Sequence, residues 1–172
     1  NGQGHETMYA QLIAEKLGVP FESVRVVQGD TDVVIYPGMT GGSRATAVGG
    51  AATMNAADRV IAKGKTIAAH ALETAEADIE FAAGEFRVAG TDRKKSFADI
   101  VKLAHTPAKL PPGLSPGLDE TATTVPLDFS YPNGCHVCEV EIDPETGAPE
   151  IRSEEHTSEL QSRLHLVCRL LL

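Results

Sequence analysis

The sequence predicts an α/β fold of the α+β kind, a mixed sheet with helices packed on it. Three observations lead there. Two long stretches, near the start and in the middle of the chain, carry apolar residues at helical spacing, and a third, shorter one follows. Between and after them lie short alternating runs bounded by Gly, Pro, Asn and Asp, which read as strands. The composition, 172 residues with 42% hydrophobic and 23% charged, is that of an ordinary globular domain with chain enough for a core.

The first helix is read from Tyr9, Leu12, Ile13 and Leu17, with Gln11, Glu15 and Lys16 between them. Gly18 supplies the left-handed residue that ends helices, and Pro20 prevents continuation. The run SVRVVQGD at 23–30 reads as a strand, and TDVVIYPGMTGG at 31–42 as a loop. Ser43 is expected to cap a helix from Arg44 to Glu73. The early part of that helix is rich in Ala and Gly, which allows another backbone to approach closely, and Gly64 is expected to kink it.

A hairpin is expected around Ala83-Gly84, with Ile79 and Phe81 facing Phe86 and Val88. Ser96 opens a short helix whose apolar residues are Phe97, Ile100, Val101 and Leu103. Four prolines in HTPAKLPPGLSPGLDET mark a long surface loop, a hinge or lid. Two further strands are read at 122–143, joined by the turn Pro132-Asn133-Gly134, and EVEIDPETGAPEI leaves room for one more.

Residues 152–172 change character. The eleven residues Arg152–Ser162 look like a translation of the start of a common short-read sequencing adapter. We therefore separate residues 152–172 as adapter read-through and take 1–151 as the body, a fragment of a larger domain.

Several chemistries are excluded or weakened. A net charge of −9 argues against a nucleic-acid partner, which needs a basic footprint. No segment is long and apolar enough to span a bilayer. AKGKT resembles the end of a phosphate-binding P-loop, but Arg59 stands where its first glycine belongs, and the segment lies within a helix pattern. Cys135 and Cys138 have zinc or redox spacing without a second ligand pair, so buried structural thiols are expected. His5 and Glu6 could form an acid/base pair, but Glu6 more simply complements the helix dipole.

The stronger signal is PGMTGGSRATAVGG, a glycine-rich loop feeding a helix. Its exposed N–H groups and the positive helix end make an anion site, and Arg44 adds a charged donor. GQG before the first helix is a second feature of the same kind. Together they point to an extended ligand with polar and phosphate groups. On the residues alone, a non-catalytic anion- or nucleotide-binding module and a purely structural interaction domain remain alternatives.

The motifs GQGHETMYAQLIAEKLGVPFESVRVVQGDTD, GGSRATAVGGAA and CHVCEVEIDPETG, in that order, resemble the molybdopterin-binding large subunit of the xanthine oxidase family of molybdenum hydroxylases. The style is that of aerobic carbon monoxide dehydrogenases and their relatives. The resemblance covers nearly all of residues 1–151 and leaves the substrate open.

It implies an oxidoreductase that hydroxylates a carbon centre of an aldehyde, N-heterocycle or similar small molecule, or oxidises carbon monoxide. The implied cofactor is molybdopterin with Mo, in some relatives as the cytosine dinucleotide. Iron–sulfur clusters and FAD are implied on partner subunits or domains, and the implied location is cytoplasmic. Carried over by motif, the cofactor contacts are Gly2, Gln3 and Gly4, then Gly42, Ser43, Arg44, Ala45 and Thr46, with Val137 and Cys138 on the later strand. The two glycine turns are then expected to face a common concavity. The resemblance places the catalytic glutamate beyond Ile151. No residue of this chain takes the catalytic or a metal-ligating role, and the chain alone is expected to be inactive.

Overall fold

The structure is a computed structural model that describes residues 2–33, 40–124 and 136–156, the last stretch with side chains for 137–151. The chain divides into two compact units, Asn1–Asp128 and Phe129–Leu172.

In the first unit, α1 spans His5–Leu17 and ends where expected. Gly18 is left-handed at φ 63, and the N–H groups of Gly18 and Val19 both turn back to the Ala14 carbonyl. Residues 24–28 then run without strand pairing to any described residue, so the strand expected at 23–30 is not formed among them. Its alternation survives in burial: Val24 and Val26 are half-buried, Arg25 and Val27 exposed.

The next helix opens with a six-residue π-turn, Ala45–Gly50, and continues as α2, Ala51–Ala71. Ser43 does not cap it. A capping serine needs an extended backbone, whereas Ser43 sits at φ 53 and Arg44 occupies the cap position with no side-chain cap bond. Nor does Gly64 break α2. It is buried, and a methyl there would lie 2.5 Å from Cζ of Phe86. Gly64 is a seat for that ring rather than a hinge.

The hairpin forms in the expected register. Strand β1, Ile79–Ala82, pairs antiparallel with β2, Glu85–Val88, so that Ile79 opposes Val88 and Phe81 opposes Phe86. Ala83 and Gly84 both have positive φ, as the tight primed turn requires. A third strand, β3 at Lys94–Ser96, extends the sheet and was not legible in a run of two lysines and a serine. Ser96 then caps α3, Phe97–Ala104, accepting the N–H of Asp99 at 3.1 Å.

The core is the layer between α2, α3 and this sheet. Ile67, Ala68, Ile79, Phe86, Val88, Ile100 and Ala104 are buried in it. The proline-rich segment is more than a surface loop. Leu110, Leu114 and Leu118 pack against the core, Gly117 donates to the Ala104 carbonyl, and Arg59 donates to that of Thr121. These anchors argue against a free lid.

The second unit contributes a ribbon of β4, His136–Ile142, and β5, Pro149–His156, paired antiparallel. The ladder does not stop at Ile151: residues 153–156 continue it opposite 136–139, past a register shift at Arg152. Both described sheets are antiparallel. The turn Pro132-Asn133-Gly134, Cys135 and residues 157–172 lie outside the described residues.

Asp143 closes the ribbon turn. Its carboxylate accepts the N–H groups of Glu145 at 2.8 Å and Thr146 at 3.3 Å, and these bonds hold its pKa below the ordinary value. Because the folded pKa is the lower one, the contribution is complete above the ordinary aspartate pKa and lost as pH falls through the folded one. We expect the Glu145 and Thr146 amide resonances to move together in an acid titration. In Asp143→Ala that step should disappear; its persistence would assign it to another group.

Candidate functional site

Two sets of glycines in the first unit can be contrasted. Gly18, Gly49, Gly64 and Gly84 are demanded by packing, since a methyl at each would run into other protein atoms. Gly2, Gly4 and Gly42 are not: a methyl there would meet no atom within 4 Å. They have positive φ (84°, 66° and 62°) on open ground, as Gly29, Gly90 and Gly113 also do; what sets them apart is that each lies just before the start of a helix. Glycine tolerates that backbone at no steric cost and leaves room for a close approach.

The two turns also share a backbone pattern. Gly4 is left-handed, at φ 66 and ψ 24, and is followed directly by helical His5. Ser43, at φ 53, is followed by Arg44 at φ −101 and ψ −4. A left-handed residue next to a right-handed one turns successive N–H groups toward one side, the arrangement that binds anions. Each turn then feeds a helix whose first N–H groups lack intrahelical acceptors. Gly4 caps α1 with no side-chain bond, as Arg44 does for the π-turn. Both places therefore offer backbone donors to an electron-rich group.

Gly2, Gln3, Gly4, His5, Glu6 and Thr7 line a concavity of about 230 Å³, joined from across the fold by Gln28. Sequence reasoning passed over Gln28; the signal was a lone amide at the end of an alternating run, just before Gly29. Gly42, Ser43, Arg44, Ala45 and Thr46 do not line this concavity. They are tied to α1 by another route. The Tyr9 hydroxyl donates to the Ala45 carbonyl at 3.1 Å, and α1 packs along the π-turn. The structure thus brings the first segment and the second to the same helix.

Val137 and Cys138 belong to the second unit, on β4, whereas both turns belong to the first. Cys138 is exposed, which corrects the expectation of a buried thiol. The reason is the ribbon itself: every described side chain of β4 and β5 is exposed, including Val137, Val140, Ile142 and Ile151. A two-stranded ribbon has no second layer of its own to cover it. Among the described residues no group of three His, Cys, Asp or Glu side chains could hold a metal ion, and no helix is long and apolar enough to cross a membrane.

Residues 1–154 match the family described as the molybdopterin cofactor-binding domain. The chain is 46% identical over 153 residues to the carbon monoxide dehydrogenase large chain of Hydrogenophaga pseudoflava, covering 88% of this chain and 19% of that one. It is 37% identical over 148 residues to the nicotine 6-hydroxylase large subunit of Paenarthrobacter nicotinovorans, covering 85% and 18%. Among solved structures, a Cu,Mo-CO dehydrogenase in its carbon monoxide reduced state superposes with a TM-score of 0.79 at 39% identity, over 90% of this chain and 19% of that one. The quinoline 2-oxidoreductase of Pseudomonas putida 86 gives 0.73 at 37%, over 89% and 20%. The chain spans about a fifth of the length of these relatives.

Proposed function

Because this chain belongs to the molybdopterin cofactor-binding domain family, we propose that its two open glycine turns are two holds on one molybdopterin cofactor. The observation that carries this is the repeated step from a left-handed to a helical residue, at Gly4-His5 and at Ser43-Arg44, each in a turn with a positive-φ glycine, Gly4 or Gly42, that packing does not demand. The residues fit such a group. An oxygen- and nitrogen-rich pterin with a phosphate needs backbone donors, a bidentate amide and a cation. Gly2, Gly4, Gly42, Ser43, Ala45 and Thr46 supply the first, Gln3 the second and Arg44 the third.

When bound, the cofactor supplies the molybdenum redox chemistry of a hydroxylase. The chain's own residues bind and orient it, and we assign no catalytic residue among them. On this reading Val137 and Cys138 are further contacts from β4. The whole enzyme is an oxidoreductase acting on an aldehyde, an N-heterocycle, a related small molecule or carbon monoxide. The reading carries with it a cytosine dinucleotide form of the cofactor, iron–sulfur and flavin partner subunits, and a cytoplasmic location.

Gln3→Ala in the assembled enzyme tests the proposal. Leaving the cofactor's polar partner unmet should weaken retention by about 1–3 kcal/mol. Molybdenum and pterin content after gel filtration reads this directly. Content equal to that of the unchanged enzyme would leave Gln3 with a turn-forming role only.

A further inference from the structure

We propose that Tyr9 is a positioning residue of the cofactor cradle, a clasp that sets the Gly42–Thr46 segment against the helix carrying the Gly2–Gly4 turn. This rests on the functional reading above and adds to it a residue that no family motif singled out.

Three observations converge on Tyr9. Its hydroxyl donates to the carbonyl of Ala45, the first residue of the π-turn, 36 positions away in the chain. A methyl on Gly49 would overlap that hydroxyl and lie 3.2 Å from the ring carbon bearing it, so glycine at 49 is what lets the ring reach the turn. One helical turn back, the His5 ring meets the Tyr9 ring edge-on at 6.4 Å, between the clasp and the concavity that His5 lines. Around these, the Gly49 carbonyl is held by the Thr53 hydroxyl at 2.8 Å, and Gly50 is buried with Leu12 beside it.

The chemistry explains why a tyrosine serves here. A π-turn is a wide turn that costs energy relative to an α-helical one and is kept where neighbouring contacts hold it. The Ala45 carbonyl has two lone pairs, so the hydroxyl can bond it without displacing the helical donor. The ring fills the approach over Gly49 while the hydroxyl fixes the height of the turn. Phenylalanine would fill the same space and leave that height unset. The three residues before Ala45 form the second anion-binding turn, so its position relative to Gln3 depends on this bond.

The test uses the assembled enzyme, its Tyr9→Phe and Gly49→Ala variants and the double variant. Two readouts are taken: amide hydrogen exchange of Ala45–Gly50, and cofactor retention, read as molybdenum and pterin content after gel filtration. Tyr9→Phe should speed exchange across the π-turn and weaken pterin retention about three- to tenfold, the usual effect of one hydrogen bond. Gly49→Ala should weaken retention further by driving the methyl into the hydroxyl. Adding Tyr9→Phe to it removes the overlap and should recover part of the loss, which a purely structural role predicts for the thermal midpoint but not for retention. A lowered midpoint with retention unchanged in Tyr9→Phe overturns the clasp and leaves the cofactor reading standing. Retention unchanged in both Tyr9→Phe and Gln3→Ala overturns the cofactor reading, and the clasp's purpose with it.

Discussion

Phe86→Ala is expected to destabilise the first unit by about 3–5 kcal/mol, the usual cost of emptying a fully buried aromatic site. Phe86 has no exposed surface and lies at the meeting of the three core elements. Its ring centroid is 4.6 Å from that of Phe81 and 6.4 Å from that of Phe97, and its edge rests on the bare backbone of Gly64 in α2. The cavity left by truncation would therefore border a helix, a strand and the start of α3 at once. Partial collapse cannot close it without moving one of them.

Gly64→Ala attacks the same contact from the other side. Its methyl would lie 2.5 Å from Cζ of Phe86, inside contact distance, so the ring must shift. Overpacking of this kind costs about 1–3 kcal/mol, offset in part by alanine's better helix propensity. The double variant distinguishes the two origins: the methyl added at position 64 then points into the space the ring vacated. Its cost should be clearly smaller than the sum of the single costs. Urea unfolding of the three variants checks this. Strict additivity would mean that Gly64 and Phe86 do not share one packing site.

What the sequence disclosed, and what it hid, follows from how local each determinant is. The end of α1 at Gly18, the hairpin register and the Ser96 cap depend on neighbours within a few residues, and each could be read directly. Strand β3 could not, because Lys94 and Lys95 have no apolar alternation and the strand is held by ladder bonds to β2 and by the Lys94–Glu85 ion pair. The same limit hid the role of Gly64, whose pattern within α2 is that of a helix breaker. Only the ring arriving from another element explains it.

The site divides in the same way. Its two turns were visible as glycine patterns, since positive φ is a local demand. The π-turn was not, and Ser43 was misread as a cap because serine before a helix usually is one. Gln28 joins the concavity and Tyr9 bonds the Ala45 carbonyl by tertiary contact alone, and the spacing of Tyr9 reads only as that of an apolar residue of α1.

Gly18→Ala should be the second large loss, about 2–5 kcal/mol, and its cause can be separated into two parts. The first is conformational. Gly18 sits at φ 63, where an L-residue costs about 1–2 kcal/mol. The second is steric. A Cβ on Gly18 would run into the backbone of the hairpin turn, lying 2.7 Å from Cα of Gly84, and a Cβ on Gly84 would lie 2.6 Å from the Gly18 carbonyl oxygen. Two left-handed glycines from distant parts of the chain are thus packed backbone to backbone. Neither partner can yield by rotating a side chain, so the overlap adds about 1–3 kcal/mol.

Gly90 is the control. It has a similar φ of 72, but a methyl there meets nothing within 4 Å, so Gly90→Ala carries the conformational part alone. Chemical unfolding should therefore rank Gly18→Ala well above Gly90→Ala, by about 1–3 kcal/mol. Equal costs would show that the α1 end and the hairpin part easily. The result bears on the site, because α1 carries the Gly2–Gly4 turn at one end and this interlock at the other. If the interlock fixes α1 on the sheet, Gly18→Ala should also speed amide exchange at Met8, whose N–H donates to the Gly4 carbonyl at 3.0 Å. Unchanged exchange at Met8 would confine the damage to the far end of the helix.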